Sequence, residues 1–578
     1  MSPRGMDMKA KTIHCWFAWL FLPSVALAQG SAQPAGTPQS DTDLVAEVRV
    51  LREALLQTQK QMAAQQQEIE ALKEAKSEQA ASFGNQHPPS MIAAAMHIPI
   101  PSSPGIANSS SGANAGTQPV SQEPAKESQK PLGSFNIGDA VFTPGGFVDF
   151  ENVFRTTNTQ NNIATNFAAI PYSNTAQGHL TEDRLTSQYS RFNLTVSDKV
   201  GANDVLGYCE ADFSGNDASN VYEVVNGHTL RLRLCFMDLK RGKWEVLGGQ
   251  TYSWLTPNRD GLGPMPAEQA TTFNEDQNFQ VGLTFTRAAE FRVAYHANDH
   301  VAFGLGVEDP NQFIGGFVAL PSAFASTVSS QFDNGAQIGA PNLFPDIIPK
   351  IAYDTKLGDR HLHLEAVGLI TGARSSVLPL GEHFYSSHSV VGGGGSLAGN
   401  VELFHNLLFL LNAFWSEGGS HYLVSDGPEL VLRPNAAGTD IFPSMIHTGA
   451  GLAGLEWIAS KKSAFAVYYG EDYFGRNFSP DTTNAGAPGT IIGYGGPGSP
   501  STNNRVIEEA TFDWLQTFWK SDKYGALQYY TQYSYVNRAP WFDAPGAPRN
   551  AHLGMVYAGF RYVLPSTSGS LLRVPYPN

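Results

Sequence analysis

Charge is scarce in this chain. Asp, Glu, Lys and Arg make up 15% of its 578 residues, against the roughly 25% usual in soluble domains. Long apolar runs are missing too: past the N-terminus none approaches the roughly 20 residues of a membrane helix. These two absences argue against an ordinary soluble protein and against a helical membrane protein. The formal net charge is −15, so the basic face of a general nucleic-acid binder is also missing. Catalytic signatures are absent. There is no G-x-S-x-G elbow and no H-E-x-x-H pair, and the run Gly392–Gly395 lacks the Lys-Ser/Thr of a phosphate-binding loop. That run reads instead as a strand where close approach needs small side chains. His296, His361 and His363 read as turn or lumen polar groups rather than ligands. No enzymatic activity, cofactor or metal site is expected.

What is present is aromatic and glycine-rich: 11% aromatics and 57 glycines. Few charges, many aromatics and no membrane helix suit a transmembrane β-barrel, where apolar residues occupy every second position. The N-terminus reads as a secretory signal over residues 1–28: Arg4, Lys9 and Lys11, then the mostly apolar Ile13–Leu22, then the A-x-A site Ala26-Leu27-Ala28. After a short linker (29–40), residues 41–78 carry a heptad. Leu44, Val48, Leu51, Leu55, Thr58, Met62, Gln65, Ile69 and Leu72 step alternately by four and three, the seam of a left-handed coiled coil. Residues 79–133 lose all periodicity, are rich in Pro, Ser, Gly, Asn and Ala, and read as a flexible tether.

From 134 to 565, alternating segments are separated by two kinds of connection in strict succession. Short polar ones fall at 198–204, 240–244, 296–300, 356–361, 459–463 and 521–525, with another expected at Ala398–Asn400. Long ones rich in Gly, Asn, Ser and Pro fall between them. Seven turns and eight loops imply about sixteen strands, the up-and-down rhythm of an outer-membrane barrel. The strands agree. Val148, Phe150 and Phe154 oppose Asp149, Glu151 and Arg155. Phe192, Leu194 and Val196 oppose Arg191, Asn193 and Thr195. Phe291, Val293 and Tyr295 oppose Glu290, Arg292 and His296. The segment 403–415 alternates poorly, and a short buried helix competes there. A soluble sandwich competes for the whole region, since alternation does not distinguish a core from lipid.

In TLRLRLCFMDL (229–239) the two-residue period puts Leu230, Leu232, Leu234 and Phe236 toward lipid and Arg231 and Arg233 toward the lumen. Cys15 leaves with the signal. Cys209 lies on an apolar face and Cys235 follows the arginine register, so these two are expected on opposite faces and unbonded. A sixteen-strand barrel has room for an aqueous channel. The inward parity collects Arg155, Arg191, Arg231, Arg233 and Arg292, with Asp149, Glu151, Glu210 and Asp212 nearby. Guanidinium groups stay charged and grip carboxylates, so the set forms a relay for small anions, or each arginine pairs with a neighbouring carboxylate and stiffens the wall. The segment 253–283 is the expected constriction loop, with Arg259 and Asp260 its sharpest charges; covering the outer mouth is its other possible place.

The stretch SRFNLTVSDKVGANDVLGYCEADFSG, followed by HTLRLRLCFMDLKRGKWEVLGGQTYSWLTPN, resembles the DcaP-like family of outer-membrane porins. The shared features are an E-x-D-F-like strand end, an R-L-R strand, a G-Q-x-x-S stretch before the inward loop, and a coiled coil ahead of the barrel. The resemblance implies a homotrimer of sixteen-strand barrels in the outer membrane of a Gram-negative-type bacterium, with a periplasmic helical stalk. It implies passive uptake of small, often carboxylate-bearing solutes such as dicarboxylates, with Arg231 and Arg233 in the matching strand. Cys235 and Phe236 depart from the pattern, as does the tail 566–578, which runs past FRYVLP and ends at Asn578. The expected partners are outer-membrane lipids, small solutes and, for the stalk, peptidoglycan. A protein tethering the outer membrane to the cell wall is the alternative reading.

Overall fold

The computed structural model describes residues 133–565 and 567, apart from 161–162, 216–227, 274–279, 311–317, 329–330, 332–340, 426 and 485. The signal, linker, coiled coil, all but the last residue of the tether, and all but Thr567 of the tail lie outside the described residues.

Sixteen strands build one barrel. They are β1 (Ala140–Arg155), β2 (Arg191–Val200), β3 (Asn203–Asp212), β4 (Arg231–Arg241), β5 (Trp244–Tyr252), β6 (Arg287–His296), β7 (Val301–Glu308) and β8 (Asp346–Leu357). The second half comprises β9 (Arg360–Val377), β10 (Ser386–Phe404), β11 (Leu407–Glu417), β12 (His447–Ile458), β13 (Ser463–Phe474), β14 (Asn504–Ser521), β15 (Gly525–Pro540) and β16 (Ala551–Val563). Each pairs antiparallel with its neighbours in sequence. The ring closes where Phe147–Arg155 of β1 runs against Val563–Met555 of β16 while Val141–Phe147 runs against β2. Two short strands, Phe135–Ile137 and Glu182–Thr186, extend the same sheet. No described helix is long and apolar enough to cross a membrane.

The short connections gather at one end and the long ones at the other, as the succession in the sequence requires. Tight reversals need left-handed backbone: Gly242 supplies φ 59° and Asn406 φ 67°. The second of these corrects the expected turn at Ala398–Asn400. That stretch is mid-strand, and the reversal falls at His405-Asn406. The poorly alternating 403–415 is therefore a strand end, a turn and a strand, not a helix. Its alternation is blurred because the inward Leu408 and Leu410 are also apolar; they are buried against material inside the barrel.

Along most of the wall the period of two holds. Val148, Phe150 and Phe291 are about half exposed on the outer wall, while Asp149, Glu151, Arg155 and Arg292 are buried inside. Strand β4 departs from this. Glu210 of β3 faces Leu234, and Ala211 faces Leu232, so Arg233 is an extra residue in the ladder. Such a bulge reverses the faces beyond it. Leu230 and Leu232 point outward at 64% and 54% exposure, but Leu234 and Phe236 turn inward at 0% and 4%. The expectation that all four face lipid is thus corrected for the last two. The same slip corrects the cysteines. Cys235 moves to the outer face, directly across from Cys209, and the two form a disulfide.

Candidate functional site: the lumen and the segment that crosses it

The inward charges fall into separate groups. In the first, Arg231 grips Asp212 with both Nε (3.0 Å) and Nη2 (2.6 Å). Arg233 donates through Nε to Glu210 (2.6 Å) and through Nη1 to Asp212 (3.3 Å). Arg191 lies 3.6 Å from Glu210, and Arg287, at the start of β6, has Arg233, Arg231 and Asp212 among its charged neighbours. Arg191, Arg231 and Arg233 thus converge on Glu210 and Asp212, with Arg287 close by. In the second group Arg561 Nε donates to Asp149 (2.8 Å), and the single Tyr530 hydroxyl is shared between Asp149 (2.8 Å) and Glu151. Arg155 pairs with Glu182 (2.9 Å) from the short strand beyond β1. Arg292 sits 3.3 Å from Glu290 and over the Trp254 ring. The structure therefore unites Arg191, Arg231, Arg233, Glu210 and Asp212, and places Asp149, Glu151, Arg155 and Arg292 elsewhere around the wall.

The described residues of segment 253–286, between β5 and β6, enter the barrel. Apart from two isolated bridges, Asn258 to Gln269 and Thr284 to Leu423, these residues form no regular sheet, and buried N–H groups must be satisfied. Wall carboxylates accept them. Trp254 N donates to Glu308 of β7 (2.9 Å), Asn258 N to Glu365 of β9 (3.0 Å) and Gly261 N to Asp354 of β8 (3.1 Å). Val281 N donates to Glu509 of β14 (2.9 Å) and Gly282 N to Asp472 of β13 (3.1 Å). Lys350 of β8 completes this set, donating to the Trp254 carbonyl (3.0 Å) and to Asn258 Oδ1 (2.8 Å) while paired with Glu365 (2.9 Å).

The two charges singled out in the sequence sit at the inner tip. Arg259 is bidentate on Glu456 of β12 (2.9 and 2.8 Å). Asp260 lies 3.6 Å from His361 of β9. Farther along, Leu283 and Phe285 join one apolar cluster with Tyr208, Leu234 and Phe236 on one side and Leu408, Leu410, Leu452 and Tyr468 on the other. The segment thus crosses the lumen, and the inward leucines of β4 and β11 are apolar because it covers them. The alternative that it covers the outer mouth does not describe these contacts.

A second segment, 418–446, backs the first: Phe285 N donates to the Tyr422 carbonyl (2.8 Å). Its His421 lies between Asp346 (2.9 Å) and Glu429. Burial alone would lower the His421 pKa, but the two carboxylates outweigh it and push it up to about 10. A histidine whose folded pKa lies above its unfolded value adds stability that is complete below the unfolded pKa of about 6.5. That contribution is lost as pH rises to about 10. Hydrogen exchange in 418–446 is therefore expected to quicken, relative to the intrinsic rate, between those values in the native protein but not in His421→Gln. A native profile flat across that window would contradict the assignment.

Sequence reasoning missed Arg287, Lys350, Glu365, Glu456, Asp472 and Glu509. All but Arg287 lie at inward positions of their strands, so the period of two marked them as lumen-facing; nothing in the sequence said which would meet the crossing segment.

No known family profile matches the chain, and no curated protein matches it. Among solved structures, the outer membrane channel DcaP of Acinetobacter baumannii matches with a TM-score of 0.50 at 14% identity, over 74% of this chain and 97% of that one. The likeness is one of fold. An anion-selective porin from Comamonas acidovorans aligns with a TM-score of 0.40 at 12% identity, over 74% of this chain and all of that one. OmpT of Vibrio cholerae aligns with a TM-score of 0.37 at 10% identity, over 74% and 99%. The closed sixteen-strand antiparallel barrel expected from the sequence is the architecture this protein has.

Proposed function

We propose that this protein is an outer-membrane porin that passes small hydrophilic solutes, with a preference for organic anions such as dicarboxylates. The observation that carries the reading is a closed barrel, apolar outside and charged inside, crossed by a segment pinned to the wall. Such a segment narrows the lumen and sets what passes. The anion preference rests on the convergence of Arg191, Arg231 and Arg233 on one part of the lumen wall, with Arg287 close to Asp212. Arg231 keeps 29% of its side chain exposed, so this cluster reaches water. The resemblance to DcaP-like porins adds a homotrimer with a periplasmic stalk to the proposal.

The test is the reversal potential of the purified mature protein in a planar bilayer under a potassium chloride gradient. Anion preference is expected. It should weaken in the Arg231→Ala/Arg287→Ala double variant, which removes two positive charges from this part of the wall. Cation preference of the native protein would sink the anion assignment. A folded trimer without conductance would sink the porin reading.

A further inference from the structure

We propose that Asp260, Asp354 and His361 form a binding site for a first-row transition-metal dication of the zinc class, which staples the tip of the crossing segment to the barrel wall. One donor comes from the segment, one from β8 and one from β9. Their donor atoms all lie within 4.8 Å of one another. His361 Nε2 is 3.6 Å from Asp260 Oδ1 and 3.6 Å from Asp354 Oδ1. That spacing is too long for a hydrogen bond. It is the spacing of donors that share a metal: tetrahedral zinc at about 2.0–2.2 Å from each ligand separates them by about 3.3–3.6 Å. Water would take the fourth position.

The surroundings favour this use. Asp354 is held from two sides, by His363 Nδ1 (2.6 Å) and by Gly261 N (3.1 Å), so its carboxylate is aimed before an ion arrives. The His361 ring presents its Nε2 to both carboxylates. Asp260 is 74% exposed, so an ion reaches the site from the short-turn end of the lumen. Two carboxylates match the charge of a dication. The imidazole selects zinc, cobalt or nickel over magnesium and calcium, which prefer all-oxygen sites. The site does not depend on whether the barrel conducts.

The test uses the full mature chain without a histidine tag, folded in detergent. Cobalt uptake is followed by visible absorbance and displaced with zinc. Saturable binding is expected, weakened at least about tenfold in Asp260→Asn and in His361→Gln, and unchanged in Asp359→Asn on the adjacent turn. Asp260 is exposed, so its variant keeps the fold, as the heat-dependent gel shift of the barrel would show. Absence of saturable uptake, or uptake indifferent to both substitutions, would overturn the site. Because the readout is binding rather than current, it fails independently of the porin reading.

Discussion

Replacing Glu210 with alanine is expected to destabilise the barrel by about 3–5 kcal/mol, the cost of breaking a buried ion pair from one side. Glu210 is 1% exposed. It accepts from Arg233 Nε (2.6 Å) and the Tyr208 hydroxyl (2.7 Å), with Arg191 at 3.6 Å. Arg191 and Arg233 are themselves buried. Removing the carboxylate takes a close counter-charge away from two buried guanidinium groups. Arg233 retains Asp212 at 3.3 Å, which limits the loss. Glu210→Gln should fall between, since it preserves acceptor geometry but not charge. Urea unfolding in lipid, followed by tryptophan fluorescence, measures the difference. A loss below about 1 kcal/mol would mean that the group is solvated and behaves as a surface pair.

The second large effect concerns the clasp at the tip of the crossing segment. Glu456→Ala is expected to shift the segment toward an undocked state by about 3 kcal/mol, the low end for a broken buried pair, because Arg259 keeps its bonds to the carbonyls of Gln269 and Thr271. That corresponds to roughly a hundredfold in the undocked population. Proteolysis within 253–286 should accelerate in proportion where reclosing outruns cleavage, and a larger conductance substate should appear in single-channel records. Arg259→Ala should produce a similar effect, and the double variant little more than either alone, as expected of two residues that act through one contact. Cleavage no faster than in the native protein would show that the carboxylates meeting the backbone N–H groups, Glu308, Glu365, Asp472 and Glu509 among them, hold the segment without the clasp.

The barrel itself was legible because its signals are local. A two-residue period and an alternation of short and long connections each show within a few residues, and together they specified sixteen strands and most inward arginines. Strand β4 shows where that reasoning stopped. Counting forward from Arg231 puts Leu234 outside; counting backward from Asp238, which is 7% exposed, puts it inside. The apolar run Leu234–Met237 hides the conflict, and that conflict was the available sign of the bulge. With the bulge unread, the Cys209–Cys235 bond was unreadable too.

The sequence by itself determined the strand rhythm and which side chains share a face, since alternation fixes that; that the apolar face is the outer one of a closed sheet took the structure. Only the tertiary structure decided that segment 253–286 crosses the lumen, that Arg259 meets Glu456 and that Asp260 meets His361. The physical reason is separation: these partners lie about a hundred to two hundred residues apart and are joined by the curvature of the closed wall, which no local period encodes.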